Sequence, residues 1–262
     1  MPPISIRLAR THEDYAGCEE LSRSIWGAAE RNVVPRELLL TIQLNGGIVQ
    51  GAWLPDGTIA GFVFGFVGWR DGQLRLCSHQ LGVLPAYRGA GLGVRLKMAQ
   101  AEEAQRRGLE LITWTFDPLE ARNAYINLHR LGAIARLYDP DHYGLMEDEL
   151  NRGLASDRLE AEWWLGAAAD RWHRPSPTDL DRATVTLRVG SDGRPVLVPL
   201  RLAEVRTVVI EIPSDFQALK AQSPEQAREW RLATREAFEG ALAAGFYAGD
   251  FLRRGAYVMV RP

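Results

Sequence analysis

The chain has 262 residues, 46% of them hydrophobic, with a net charge of −2, so it can bury a sizeable core and offers no basic footprint for nucleic acid. Its two cysteines, Cys18 and Cys77, lie far apart without a Cys-x-x-Cys or zinc spacing, which predicts no metal and a soluble protein of the reducing cytoplasm. MPPISIRLAR lacks an apolar signal-peptide core, and the longest apolar run, Ile59 to Trp69, is short and glycine-broken, so no membrane partner is expected.

In chain order, Ile4–Leu8 reads as a strand. Glu13–Ile25 has helical spacing through Tyr15, Cys18, Leu21 and Ile25, and Arg36–Leu44 is a second helix after Pro35. Gly47–Leu54 and Thr58–Trp69 are strands around the turn Pro55-Asp56-Gly57. The next apolar run, Leu76 to Leu84, ends at Pro85, which cannot donate to a sheet ladder. Arg88-Gly89-Ala90-Gly91-Leu92-Gly93 follows, and Val94–Arg107 is a helix stopped at Gly108. Leu111–Phe116 is a strand, Leu119–Leu131 a helix closed by Gly132, Ala133–Tyr138 a strand, and Leu159–Leu165 the last strand of this region.

Beyond Gly166 the composition changes. Pro175 and Pro177 sit among polar residues, so 167–183 reads as a linker between a domain at 1–166 and a C-terminal α+β region at 184–262. Thr184–Leu200 alternates about Ser191-Asp192-Gly193 as a β-hairpin; Val205–Ile212 is a strand, Pro224–Ala244 a helix and Tyr257–Val260 a final strand. Leu242-Ala243-Ala244-Gly245-Phe246 echoes Leu131-Gly132-Ala133, so this region is either a degenerate second copy of the first fold or a generic α+β cap.

The glycine-rich segment is the most informative. Glycines at a helix start permit close approach to a ligand, and the unpaired N–H groups there bind anions. A P-loop would need Gly-Lys-Ser/Thr, which is absent, and a dinucleotide loop would need glycine where Val94 stands. Arg88, Gly91 and Gly93 instead match Arg/Gln-x-x-Gly-x-Gly/Ala, the acyl-coenzyme A pyrophosphate loop of the GCN5-related N-acetyltransferase (GNAT) superfamily. The β-α-α-β-β-β-α-β-α-β order also resembles that superfamily over residues 4 to 166, which implies an α/β fold with a mixed sheet. The blocks Ser78 to Pro85, Trp114 to Leu119 and Ser156 to Leu159 with Glu162-Trp163 resemble a group of bacterial GNAT acyltransferases. Some members of that group are linked to N-succinylamino acid metabolism.

The resemblance implies a transferase moving an acetyl or succinyl group from acetyl-CoA or succinyl-CoA to a small-molecule amine, for instance an amino acid, by direct attack. The alternative is a non-catalytic acyl-CoA-binding sensor or scaffold. Backbone N–H groups of Leu81, Gly82 and Val83 would hold pantetheine and face the thioester carbonyl, and Arg88, Gly89, Ala90, Gly91, Leu92 and Gly93 would hold the pyrophosphate. Asn123 and Asn127 would hydrogen-bond the coenzyme. His79 is the expected general base, because imidazole titrates near neutrality and lies two residues before the carbonyl-facing backbone. Many GNATs place a proton-donating tyrosine where this chain has Leu128; Tyr125 is the nearest substitute, with Tyr138 and Tyr143 behind it. Arg158 is the candidate for binding a substrate carboxylate. The C-terminal region would cap the site or form a homodimer interface.

Overall fold

A computed structural model describes residues 3–26, 33–144, 146 and 151–261. The chain divides into two compact units, one of Met1–Trp114 with Trp164–Ala168, the other of Thr115–Trp163 with Ala169–Pro262.

The first unit comprises β1 (Ser5–Leu8), α1 (His12–Trp26), α2 (Arg36–Leu44), β2 (Ile48–Trp53), β3 (Ile59–Arg70), β4 (Gln73–Val83), α3 (Leu92–Arg106) and β5 (Leu111–Phe116), whose last residues pass into the second. β1 to β4 form an antiparallel ladder in sequence order, and β5 joins β4 in parallel. Helices cover both faces, so the middle strands are apolar nearly throughout rather than alternating. On one face Tyr15, Cys18, Leu21 and Leu39 of α1 and α2 pack on Val49, Phe62 and Phe64; on the other Leu92 and Leu96 of α3 pack on Ala52, Ala60 and Val63. α3 begins at Leu92, before the expected Val94, because Gly91 already serves as its N-cap.

The second unit comprises α4 (Ala121–Ala124), β6 (Ile134–Asp139), β7 (Arg158–Trp164), α5 (Pro177–Asp181), β8 (Thr184–Val189), β9 (Pro195–Leu197), β10 (Thr207–Glu211), α6 (Phe216–Gln222), α7 (Pro224–Ala243), β11 (Tyr247–Leu252) and β12 (Ala256–Val260). Its strands run in the order β7-β6-β11-β12-β10-β8-β9. The expected helix over 119–131 is instead the short α4 running on into a π-helical turn, Tyr125–Arg130. There Leu131 N–H reaches back five residues to Ile126 O at 2.9 Å. The expected linker contains α5, held by a Ser176–Asp179 capping box. Sequence patterning missed α6 and β11. The echo between the two regions has a structural counterpart: Gly132 and Gly245, both at positive φ, each end a helical segment and lead into β6 and β11, which pair at Ala135 and Ala248.

The unit boundary falls inside β5, away from 167–183. The reason lies in what α7 holds. Arg231 grips Asp117 through two bonds of 2.9 and 2.6 Å, and Arg235 grips Asp157 through two of 2.9 and 2.7 Å. Tyr257 Oη donates to Pro118 O at 2.7 Å, and its ring meets Phe238 and Phe251 edge-on. Residues 115–163 therefore share one core with the C-terminal region.

Candidate functional site

A β-bulge on β4 sets the geometry of the first unit. Phe64 lies opposite Gln80 and Gly65 opposite Ser78, which leaves His79 as the extra residue. A bulge breaks the in–out alternation of a strand and re-aims its side chains. Ser78 points under α3, where it donates to Gln100 Oε1 at 2.8 Å and accepts from Lys97 Nζ at 2.8 Å. His79 points to the opposite face, with its ring 5.4 Å from Phe64 and 6.1 Å from Phe66. Together with Val34, Leu38 and Ile42 these rings line a cavity of about 320 Å³. Loss of water among apolar walls pushes the His79 pKa below its ordinary 6.5, so the imidazole is neutral at neutral pH. No hydrogen bond occupies its nitrogens among the described residues.

Beside the bulge the sheet forks. β4 and β5 pair at Leu76–Ile112 and Cys77–Thr113, while β4 continues along β3 to Val83. Leu84 N–H bonds Ala60 O on the β3 side at 3.0 Å, and Val83 O accepts from Arg88 Nε at 2.9 Å. By the alternation of an antiparallel ladder, Leu81 and Val83 turn their N–H groups away from β3, towards the open edge. Gly82 turns its backbone to β3. Its missing side chain makes room for α1, since a Cβ there would stand 2.7 Å from Ile25 Cδ1 and 3.0 Å from Trp26 Cη2.

After a short 3₁₀ turn, Pro85–Tyr87, the chain passes through Gly89 (φ +83°) and Gly91 (φ +78°). Nothing lies within 4 Å of where either Cβ would be, so the glycines are needed for backbone conformation, not for space. As N-cap of α3, Gly91 supplies no side-chain acceptor, so the N–H groups of Leu92, Gly93 and Val94 remain without a cap. Gly89, Ala90 and Gly91 are exposed, whereas Leu92 is buried and pins the loop to the core. The result is an accessible set of uncapped N–H groups at the positive end of a helix dipole, an arrangement suited to an anion.

Sequence reasoning missed Lys97. It lies next to Leu96 on the buried face of α3, only 6% exposed, with Nζ 3.5 Å from the Trp114 ring centroid. Burial drives its pKa well below 10.5, opposed by Cys77. Its one sequence signal was a lysine at a position that continues the helix's apolar stripe.

In the second unit, Tyr125 opens the π-helical turn, stacks on His129 at 4.7 Å and accepts from Arg253 Nε at 3.0 Å. Such turns recur at functional sites because they displace side chains from helical register. Asn123 is exposed and Asn127 buried; Leu128 is fully buried. Tyr138 Oη donates to Asp157 at 2.7 Å, and burial beside that carboxylate raises its pKa; Tyr143 Oη lies 3.0 Å from Thr115 Oγ1. Arg158 is not an open carboxylate receptor. It is buried, donates to Asp157 O and Asn151 Oδ1 at 2.8 Å each, and lies 3.8 Å from Asp117. Among the described residues there is no His/Cys/Asp/Glu cluster suited to a metal, and no helix long and apolar enough to cross a membrane.

Residues 11–133 match the acetyltransferase (GNAT) family. Among solved structures, the chain is similar to yncA of Salmonella typhimurium with its cofactor acetyl-CoA, at 22% identity over 67% of this chain and 99% of that one (TM-score 0.49). It is also similar to the ribosomal-protein-S18-alanine N-acetyltransferase of Escherichia coli, at 15% identity over 65% and 99% (TM-score 0.49). A third is the IAA acetyltransferase of Bacillus cereus, at 15% over 62% and 100% (TM-score 0.45). No curated protein matches the chain.

Proposed function

We propose that this chain, an acyltransferase built on a GNAT domain at residues 11–133, transfers an acetyl or succinyl group from acyl-CoA to the amine of a small molecule. The observation that carries this reading is the conjunction of an uncapped, exposed α3 N-terminus with a β4 edge left open from Ser78 to Val83. Such a pair suits a long anionic thioester. The N–H groups of Leu92, Gly93 and Val94 would take its pyrophosphate, and those of Leu81 and Val83 its amide arm and thioester carbonyl.

Bound acyl-CoA supplies an activated carbonyl. Neutral His79 takes the proton that the attacking nitrogen loses as the new C–N bond forms. The C–S bond breaks, and the departing thiolate takes a proton from water. An amino acid acceptor would need a carboxylate partner other than Arg158, whose donors face internal acceptors.

The test is calorimetric titration with acetyl-CoA and succinyl-CoA against an Arg88→Ala/Gly91→Asp variant. Binding that the variant loses supports the loop assignment, and the tighter donor identifies the acyl group. Thiol release on adding amines then separates the enzyme from a non-catalytic sensor. No binding of either donor overturns the reading.

A further inference from the structure

Resting on that acyl-transfer reading, we propose that the acceptor amine is carried on an uncharged apolar body, branched aliphatic or aromatic, which seats in the cavity beside His79. Five of its described lining residues, Val34, Leu38, Ile42, Phe64 and Phe66, are apolar, and His79 is the single titratable group among the described residues that line it. At about 320 Å³ the cavity stands at the small end of the roughly 300–1,000 Å³ of ligand pockets, room for one ring or branched chain with a short arm.

The walls discriminate by what they lack. A carboxylate or second ammonium group entering here would shed water and meet no opposite charge among the described residues, a cost that burial does not return. An apolar body meets no such penalty and gains by leaving water. The reacting amine itself is provided for. The faces of Phe64 and Phe66 attract it while it is an ammonium ion; one proton leaves to water to give the free amine, and the neutral imidazole takes the second as the C–N bond forms. The bulge joins the two functions, because without the extra residue position 79 would not turn towards α2.

The direct test is NMR titration of the full chain without acyl-CoA, following the His79 imidazole, which is assigned with His79→Gln. Probes are 3-methylbutylamine and 2-phenylethylamine, with putrescine and glutamate as charged counterparts. The apolar amines should shift the His79 signals saturably and the charged ones should not. Leu38→Glu, at a side chain already 48% exposed, should weaken apolar amine binding at least about tenfold (1.4 kcal/mol) while leaving acetyl-CoA binding intact. With acetyl-CoA present, the same variant should raise KM for these amines more than it lowers kcat. The proposal is overturned if the charged amines perturb His79 as strongly, if no amine does, or if a folded Leu38→Glu binds unchanged. Amine binding without thiol release counts against the transfer reading alone and leaves the apolar-amine site standing.

Discussion

Lys97 Nζ donates to Ser78 Oγ at 2.8 Å directly beside the last β4–β5 ladder pair, Cys77–Thr113. The amine thus sits under the fork of the sheet, with the Trp114 ring 3.5 Å away and almost no contact with solvent.

This burial makes stability pH-dependent. The folded chain releases the Lys97 proton well below 10.5, whereas the unfolded chain holds it to about that pH. Between the two values the unfolded state binds more protons, so unfolding free energy rises with pH across that window and stops rising above it. Lys97→Met, similar in length and uncharged, should flatten that rise. Urea denaturation at a series of pH values below 10.5 checks it, and an unchanged slope would show that Lys97 is not its source.

His79→Gln should lower kcat by about 10²–10⁴-fold, the usual contribution of a general base, with acetyl-CoA affinity unchanged. Because burial lowers the imidazole pKa below 6.5, kcat at saturating amine should lose its His79 contribution only at acidic pH, where His79 gains its proton. The variant's residual activity should lack that acid limb. A pH–rate profile reads both effects.

Gly82→Ala should destabilise the first unit by about 1–3 kcal/mol, the range for overpacking a tight core. The added methyl would meet Ile25, Trp26 and Phe62 at 2.7, 3.0 and 3.2 Å, and three neighbours cannot all retreat. Denaturant midpoints compared with wild type measure the loss. A parallel Gly91→Ala change differs in kind, since space is free there and the cost is the positive φ alone.

Arg231→Met should cost about 3–5 kcal/mol, because it leaves Asp117 charged, largely buried and deprived of its bidentate partner. Adding Asp117→Asn should recover part of that loss, as the stranded charge is then gone. Equilibrium unfolding of the single and double variants decides the matter, and equal losses would place the cost in packing.

The sequence by itself determined whatever is written locally. Strand and helix periods placed most elements, and Arg88 to Gly93 stood out through glycines at a helix start, because a positive φ and an uncapped N-terminus depend on neighbouring residues only. His79 stood out by chemistry and position, but nothing adjacent to it encodes the bulge, whose register depends on the pairing of β4 with β3. Little beside Lys97 in the chain singles it out, and Arg158 reads locally as a receptor for a substrate carboxylate. The first became a buried amine and the second an internal tie, since desolvation and ion pairing are set by segments distant in the chain. The same holds for the division of the molecule: composition changes at Gly166, while Asp117 and Asp157 find their arginines on α7. Only the tertiary structure decided those partners, because a charge buried beside one helix must be answered by whichever residue the fold brings within hydrogen-bonding reach.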